Sequence, residues 1–122
     1  MNIRTDRQGD SKVAIIESDS VVIEGVQDAL DLMASVNYTE GCSKIILRKE
    51  QLTESFFDLS TKLAGEILQK YTNYQVKLAI VGDFSGYASK SLKDFIYESN
   101  NGKQFFFLGD ERTALETLHS LG

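Results

Sequence analysis

Residues Lys44–Tyr71 read KIILRKEQLTESFFDLSTKLAGEILQKY, and this stretch decides the fold. Its opening run, Lys44–Leu47, is apolar and largely β-branched. It is too short for a helix and suits a strand covered on both faces. After a polar loop, Leu59, Leu63, Ile67, Leu68 and Tyr71 keep a spacing of three to four. That spacing draws one face of an amphipathic helix. A strand, a loop and a helix in this order make one unit of an alternating α/β chain.

The pattern extends in both directions. Lys12–Glu17 (KVAIIE), Lys77–Val81 (KLAIV) and Gln104–Leu108 (QFFFL) are further apolar runs. A short strand is expected at Asn2–Thr5, turned back as a hairpin by Arg7-Gln8-Gly9-Asp10. Val22, Val26, Leu30, Met33 and Val36 predict a first helix. Leu92, Phe95, Ile96 and Ser99 predict a third, closed by Asn101-Gly102 as a C-cap. Ser91 and Asp94 are spaced as a capping box at its start. Ala114, Leu115, Leu118 and Leu121 predict a last helix, capped by Asp110. Two strands end in Gly-Asp, KLAIVGD and FFFLGD. A positive φ is expected at Gly82 and Gly109, with the acid capping the next segment of chain. The order is β-β-α-β-α-β-α-β-α, an α/β fold with a mainly parallel sheet of four to five strands. No linker or repeat interrupts it, so residues 1–122 read as a single domain.

Composition narrows the function. The chain is 42% hydrophobic and 25% charged, enough apolar content for one core without staples. Its net charge is -5, with no clustered Lys and Arg. Binding to phosphate backbones needs a basic face, so neither nucleic acid nor an anionic membrane is an expected partner. A single cysteine, Cys42, allows no internal disulfide and no metal site built on cysteine pairs. It is expected as a small buried hydrophobe. The start, MNIRTDRQGD, lacks an apolar leader, and no run approaches the about 18 apolar residues of a membrane span. A cytoplasmic location is the expectation. No Walker loop, Gly-x-Gly-x-x-Gly, nucleophile elbow or metal motif is present, so neither a cofactor, a metal nor a catalytic residue is expected.

Several residues nonetheless draw attention. Glu17, Glu50, Asp83 and Asp110 follow the C-terminal ends of four strands, the edge where open α/β sheets bind ligands. They read either as a carboxylate cluster or as helix-start acids favoured by the dipole. Arg48-Lys49-Glu50 leaves a strand at the same edge. Ser89-Lys90-Ser91 precedes the third helix and reads as an anion site or as a plain helix start. Phe56-Phe57, Phe84 and Tyr87 are core lids if buried and partner anchors if exposed. His119, the only histidine, falls in the last turn of the final helix. A helix-end dipole partner is the expected role, since nothing nearby in sequence would orient it.

IILRKEQLTESFFDLSTKLAGEIL, followed by KLAIVG, resembles the central region of a STAS domain, the anti-sigma-factor-antagonist-like fold. In that family a strand and a loop lead to Asp-Ser-Ser-Gly and then a helix. Asp58 and Ser60 match, with Leu59 in place of the first serine and Thr61 in place of the glycine. The whole chain, through RKE, FFDL, AGEI, IVGDFS and SKSLKDFIYES, also resembles a small bacterial family known only as a domain of unknown function. The STAS resemblance implies phosphorylation of Ser60 by a partner kinase, at the start of the second helix. Ser and Asp here also have the simpler reading of helix caps.

The resulting expectation is a non-catalytic regulatory module acting by protein contact. Its surface would be Phe56–Gly65, with Asp58, plus Asp83–Ser91, and its partner a regulatory kinase or an anti-sigma-like factor. The alternative is a small-molecule or anion binder, enzymes included, with Arg48, Glu50, Asp83 and Lys90 lining the strand-end crevice.

Overall fold

A computed structural model of the chain describes residues 1–121. Five strands form one sheet in the order β1-β2-β3-β4-β5: Asn2–Gln8, Ser11–Glu17, Lys44–Arg48, Lys77–Val81 and Phe105–Leu108. β1 and β2 are an antiparallel hairpin, and every later pairing is parallel. The helices are α1 (Val26–Glu40), α2 (Leu63–Asn73), α3 (Lys90–Asn100) and α4 (Glu111–His119). The element order is β-β-α-β-α-β-α-β-α, as the alternating pattern implies.

Continuous apolar strands are explained by two cores. Ala14, Ile16, Ile45, Leu47, Leu78, Ile80, Phe105 and Phe107 face α1, α2 and α3. The alternate residues Val13, Ile15, Ile46, Ala79 and Phe106 face α4. β2 to β5 therefore each bury both parities of their period-two pattern. The crossovers from β2 to β5 each step to the adjacent strand and put their helices on one face, as single-handed crossovers require. The nine residues of α4 cover the other face alone. Tyr71 is fully buried and donates its hydroxyl to Ala29 O at 2.7 Å, tying α2 to α1.

Several local expectations are corrected. β1 runs to Gln8, and the turn is Gly9 and Asp10 alone, with Gln8 paired to Ser11. An edge strand with mostly exposed side chains has no apolar run to mark its end. Gly9, at φ 59°, supplies the left-handed turn. Gly82 and Gly109 do not take that conformation. Gly82 is needed for space, since a Cβ there would lie 2.7 Å from Lys49 Cβ. Val22 precedes α1 rather than joining it; its N–H donates to Gln51 O at 2.7 Å. Ser89, not Ser91, caps α3 by accepting from Leu92 N at 3.2 Å. Asn101 is the C-cap of α3, as expected, at φ -88°, and its side-chain amide donates to Tyr97 O at 3.0 Å. Asp110 does cap α4, accepting from Thr113 N at 2.7 Å. Cys42 is buried, and that burial raises its thiol pKa. At the outer edge of the sheet, the Asn100 side chain accepts from Phe107 N at 2.7 Å and donates to Phe107 O at 3.1 Å.

Candidate functional site

The loop after β3 carries most of the expected site, and it is not one helix. It folds into three short 3₁₀ helices, Lys49–Gln51, Glu54–Phe57 and Leu59–Thr61, before α2 begins. Helical apolar spacing spans the whole segment, yet local side-chain bonds to the backbone win. Asp58 Oδ1 accepts from Ser60 N at 3.1 Å and from Ser60 Oγ at 2.6 Å. Thr61 Oγ1 lies 2.7 Å from Ser55 O and 2.8 Å from Asp58 O. Lys62 then takes a left-handed φ of 67° and separates this turn from α2. Ser60 is exposed but sits upstream of α2, not in its first turn. A phosphate there would meet the Asp58 carboxylate rather than the free amides of a helix start.

Aromatic side chains underlie this loop. Phe56 and Phe57 are 0% and 3% exposed, so they are lids of the core and not surface anchors. The physical reason is the neighbouring ring cluster. Phe57 stacks on Tyr87 at 5.2 Å and meets Phe84 at 6.1 Å, and Phe84 meets Phe107 edge-on at 5.4 Å. Phe84 and Tyr87 are half-buried. Tyr87 donates to the Glu54 carboxylate at 3.2 Å, and Lys49 Nζ lies 4.8 Å from the Tyr87 ring centre. Burial first, and Glu54 second, push the Tyr87 phenol up to about 12. Lys49 Nζ also donates to Asp83 O at 3.2 Å. These contacts fuse the loop after β3 and the loop after β4 into one surface.

Arg48, Glu50, Asp58, Ser60, Asp83, Ser89 and Lys90 are exposed on these loops. Asp83 accepts from Ser85 Oγ at 2.6 Å and Ser85 N at 2.9 Å, which holds its carboxyl below the usual range. Lys90 pairs with Asp94 at 2.8 Å along α3, and this partner raises its pKa. Ser89 and Lys90 are thus engaged within their own helix.

A separate crevice of about 320 Å³ opens at the ends of β2, β3 and β4, on the α4 side. Arg4, Glu17, Asp19, Arg48 and Glu111 rim it over Ile46 and Val81. Arg4 bridges Glu111 at 2.8 Å and Glu17 at 3.3 Å, and these bonds raise its pKa, Glu111 most. Arg48 donates to Ser18 O. Of the four residues expected to line a strand-end crevice, only Arg48 does so; Glu50, Asp83 and Lys90 lie elsewhere. The strand-end acids do not converge either. Glu17 is ion-paired, Asp83 closes its own turn and Asp110 caps α4. Among the described residues, no group of three or more His, Cys, Asp or Glu is placed to hold a metal ion. No helix among them is long and apolar enough to cross a membrane.

One residue, Gln51, and the partners of another, His119, carry no sequence signal. Gln51 is 1% exposed and joins the ends of two strands. Its amide donates to Ile16 O and Ser18 O, both at 3.1 Å, and accepts from Arg48 N at 2.8 Å. His119, expected to have no orienting partner, has two: Nε2 lies 2.7 Å from Asp6 Oδ2 and Nδ1 2.7 Å from Ser11 Oγ. The hairpin and α4 bring these residues together across 113 and 108 positions of sequence.

Comparison with known proteins returns one family. Residues 8–118 match the model of DUF4180, a domain of unknown function. No curated protein and no solved structure matches the chain. With the match spanning nearly all of the sheet and its helices, the chain belongs to the DUF4180 family.

Proposed function

We propose that this domain is a regulatory module that works by protein contact, in the manner of the STAS domains it resembles in element order and in the Asp58-Leu59-Ser60-Thr61 stretch. One observation carries the reading. The loop after β3 and the loop after β4, distant in sequence, are joined through Phe57, Phe84, Tyr87 and Glu54 into one irregular, polar-topped surface at one edge of the sheet. Such a surface, set on a rigid aromatic base, suits recognition by a partner. Ser60 is the proposed switch, with a regulatory kinase or an anti-sigma-like factor as partner in the cytoplasm. Phosphorylation would replace the Ser60 donor to Asp58 with a dianion beside a carboxylate. It would therefore act by repelling and opening the turn.

The test is affinity capture from native lysate with the wild-type chain, Ser60→Ala and Ser60→Asp, together with phosphopeptide mapping of the captured chain. Phosphate on Ser60 and a partner weakened by about tenfold or more in Ser60→Asp are the expected results. Unphosphorylated Ser60, with interactions unchanged in both variants, defeats the reading.

The crevice between Arg4 and Arg48 supports a second reading, a small polar ligand bearing both charges, held by arginines and acids over an apolar floor. A thermal-shift panel of amino acids, organic acids, nucleotides and phosphates tests it. Stabilisation by one class, lost in Arg48→Ala, is expected; a flat panel removes it.

A further inference from the structure

At the opposite edge of the sheet, where the parallel strands begin, Ser11 opens β2 directly after the hairpin turn. Its Oγ lies 2.7 Å from His119 Nδ1 and 2.9 Å from Lys44 Nζ. On its far side the His119 ring places Nε2 2.7 Å from Asp6 Oδ2. The His119 side chain is 3% exposed, so the ring is held by packing as well as by both hydrogen bonds. Lys44 is anchored by a second bond, to Leu121 O at 3.0 Å.

Donor counting orients this chain. An ionised Asp6 only accepts, so in the neutral imidazole the proton sits on Nε2 and Nδ1 has a free lone pair. The Ser11 hydroxyl then donates to Nδ1, and its oxygen accepts from the Lys44 ammonium. A hydroxyl aimed at a base, the base oriented by a carboxylate and a cation at the oxygen make up the arrangement that activates a serine nucleophile. Ser11 is also reachable. With Lys12, Gly41, Ser43 and Lys44 it lines an open depression of about 480 Å³. Desolvation, with Lys77 second, lowers the Lys44 pKa, as expected for an ammonium packed against the sheet.

We propose that Ser11, His119 and Asp6 form a nucleophilic serine centre that takes an acyl ester in the depression beside Lys44. Ser11 Oγ attacks the ester carbonyl carbon, and its proton passes to His119 Nδ1. The Lys44 ammonium faces the charge that develops on the carbonyl oxygen. The carbon–oxygen bond to the leaving alcohol breaks, and His119 returns the proton to that oxygen. Water, deprotonated by the same nitrogen, then cleaves the acyl-Ser11 ester to release a carboxylic acid and restore the hydroxyl. Ser11 and His119 are the catalytic residues, and Asp6 is a positioning residue. This centre is independent of the partner surface, which lies at the other edge of the sheet.

The test uses the full chain with a fluorophosphonate and with p-nitrophenyl acetate. A single phosphonyl adduct, mapped by peptide mass spectrometry to Ser11 of the wild-type protein, is expected. An ester burst should disappear in Ser11→Ala. His119→Gln should slow labelling on the order of a hundredfold. Asp6→Asn, which loses the acceptor-only carboxylate that sets the ring tautomer, should slow labelling of Ser11, and Asp6→Glu should restore it. Mapping on the wild-type chain decides the matter even if a variant fails to fold. No adduct, or an adduct on another residue, overturns the proposal, as does ester turnover that persists in a folded Ser11→Ala.

Discussion

The two edges of the sheet are built on opposite plans. At the edge where strands end, the exposed turns are closed by near neighbours in sequence, Asp58 on Ser60, Asp83 on Ser85 and Asp110 on Thr113, and longer ties such as Tyr87 to Glu54 and Arg4 to Glu111 run between them. Beneath those turns lies a packed layer of phenylalanines. The edge where strands begin depends on polar contacts across the whole chain, Asp6 to His119 to Ser11 to Lys44. Turns closed by near neighbours can change shape without disturbing the fold. A long-range edge is set only when the fold is complete.

The largest test of that contrast is Phe56→Ala. Its ring is fully buried among Phe57, Phe105 and Phe107. Loss of about 3–5 kcal/mol is expected from chemical denaturation. A loss below about 1 kcal/mol would mean that the aromatic layer is not part of the core. Gln51→Leu comes next. It strands Ile16 O, Ser18 O and Arg48 N, and about 2–4 kcal/mol should be lost. A near-neutral result would show that water replaces the amide. His119→Gln should cost about 1–2 kcal/mol by the same measurement, since the polar edge loses one ring and keeps a donor. If that loss exceeds the one for Phe56→Ala, the ranking of the edges is reversed. The smallest effect concerns acid. The Thr113 N–H holds the Asp110 carboxyl below its ordinary value of 3.8. Its contribution to stability is complete above that value and disappears as pH falls through the depressed one. Asp110→Asn should therefore flatten the acid limb of a melting-temperature profile, and an unchanged limb would exclude the cap as its source.

The same contrast explains how far the sequence could be read. β2 to β5 were legible because strands buried on both faces are continuously apolar. β1 was legible only at its start, because an exposed edge strand needs no apolar residues at Arg7 and Gln8. Val22 and Leu59 kept helical spacing without lying in α1 or α2, since Val22 packs on the core from an irregular segment and Leu59 from a short 3₁₀ turn. Asp110 was legible as a cap because capping is local. The partners of His119 were not, because no local pattern links positions more than a hundred residues apart. Phe56 and Phe57 could be placed near the right edge, but their burial depends on rings from β5 and from the loop after β4.

The bidentate amide of Asn100 has a consequence for life in a crowded solution. β5 is a run of three phenylalanines and a leucine at the margin of the sheet, with no charge and no proline. A margin of this kind is a template on which a second chain can add, strand upon strand, toward a fibril. Asn100 occupies both outward backbone groups of Phe107 with its own side chain. One carboxamide thereby acts as a gatekeeper, closing the middle of this apolar margin to the backbone of a second chain.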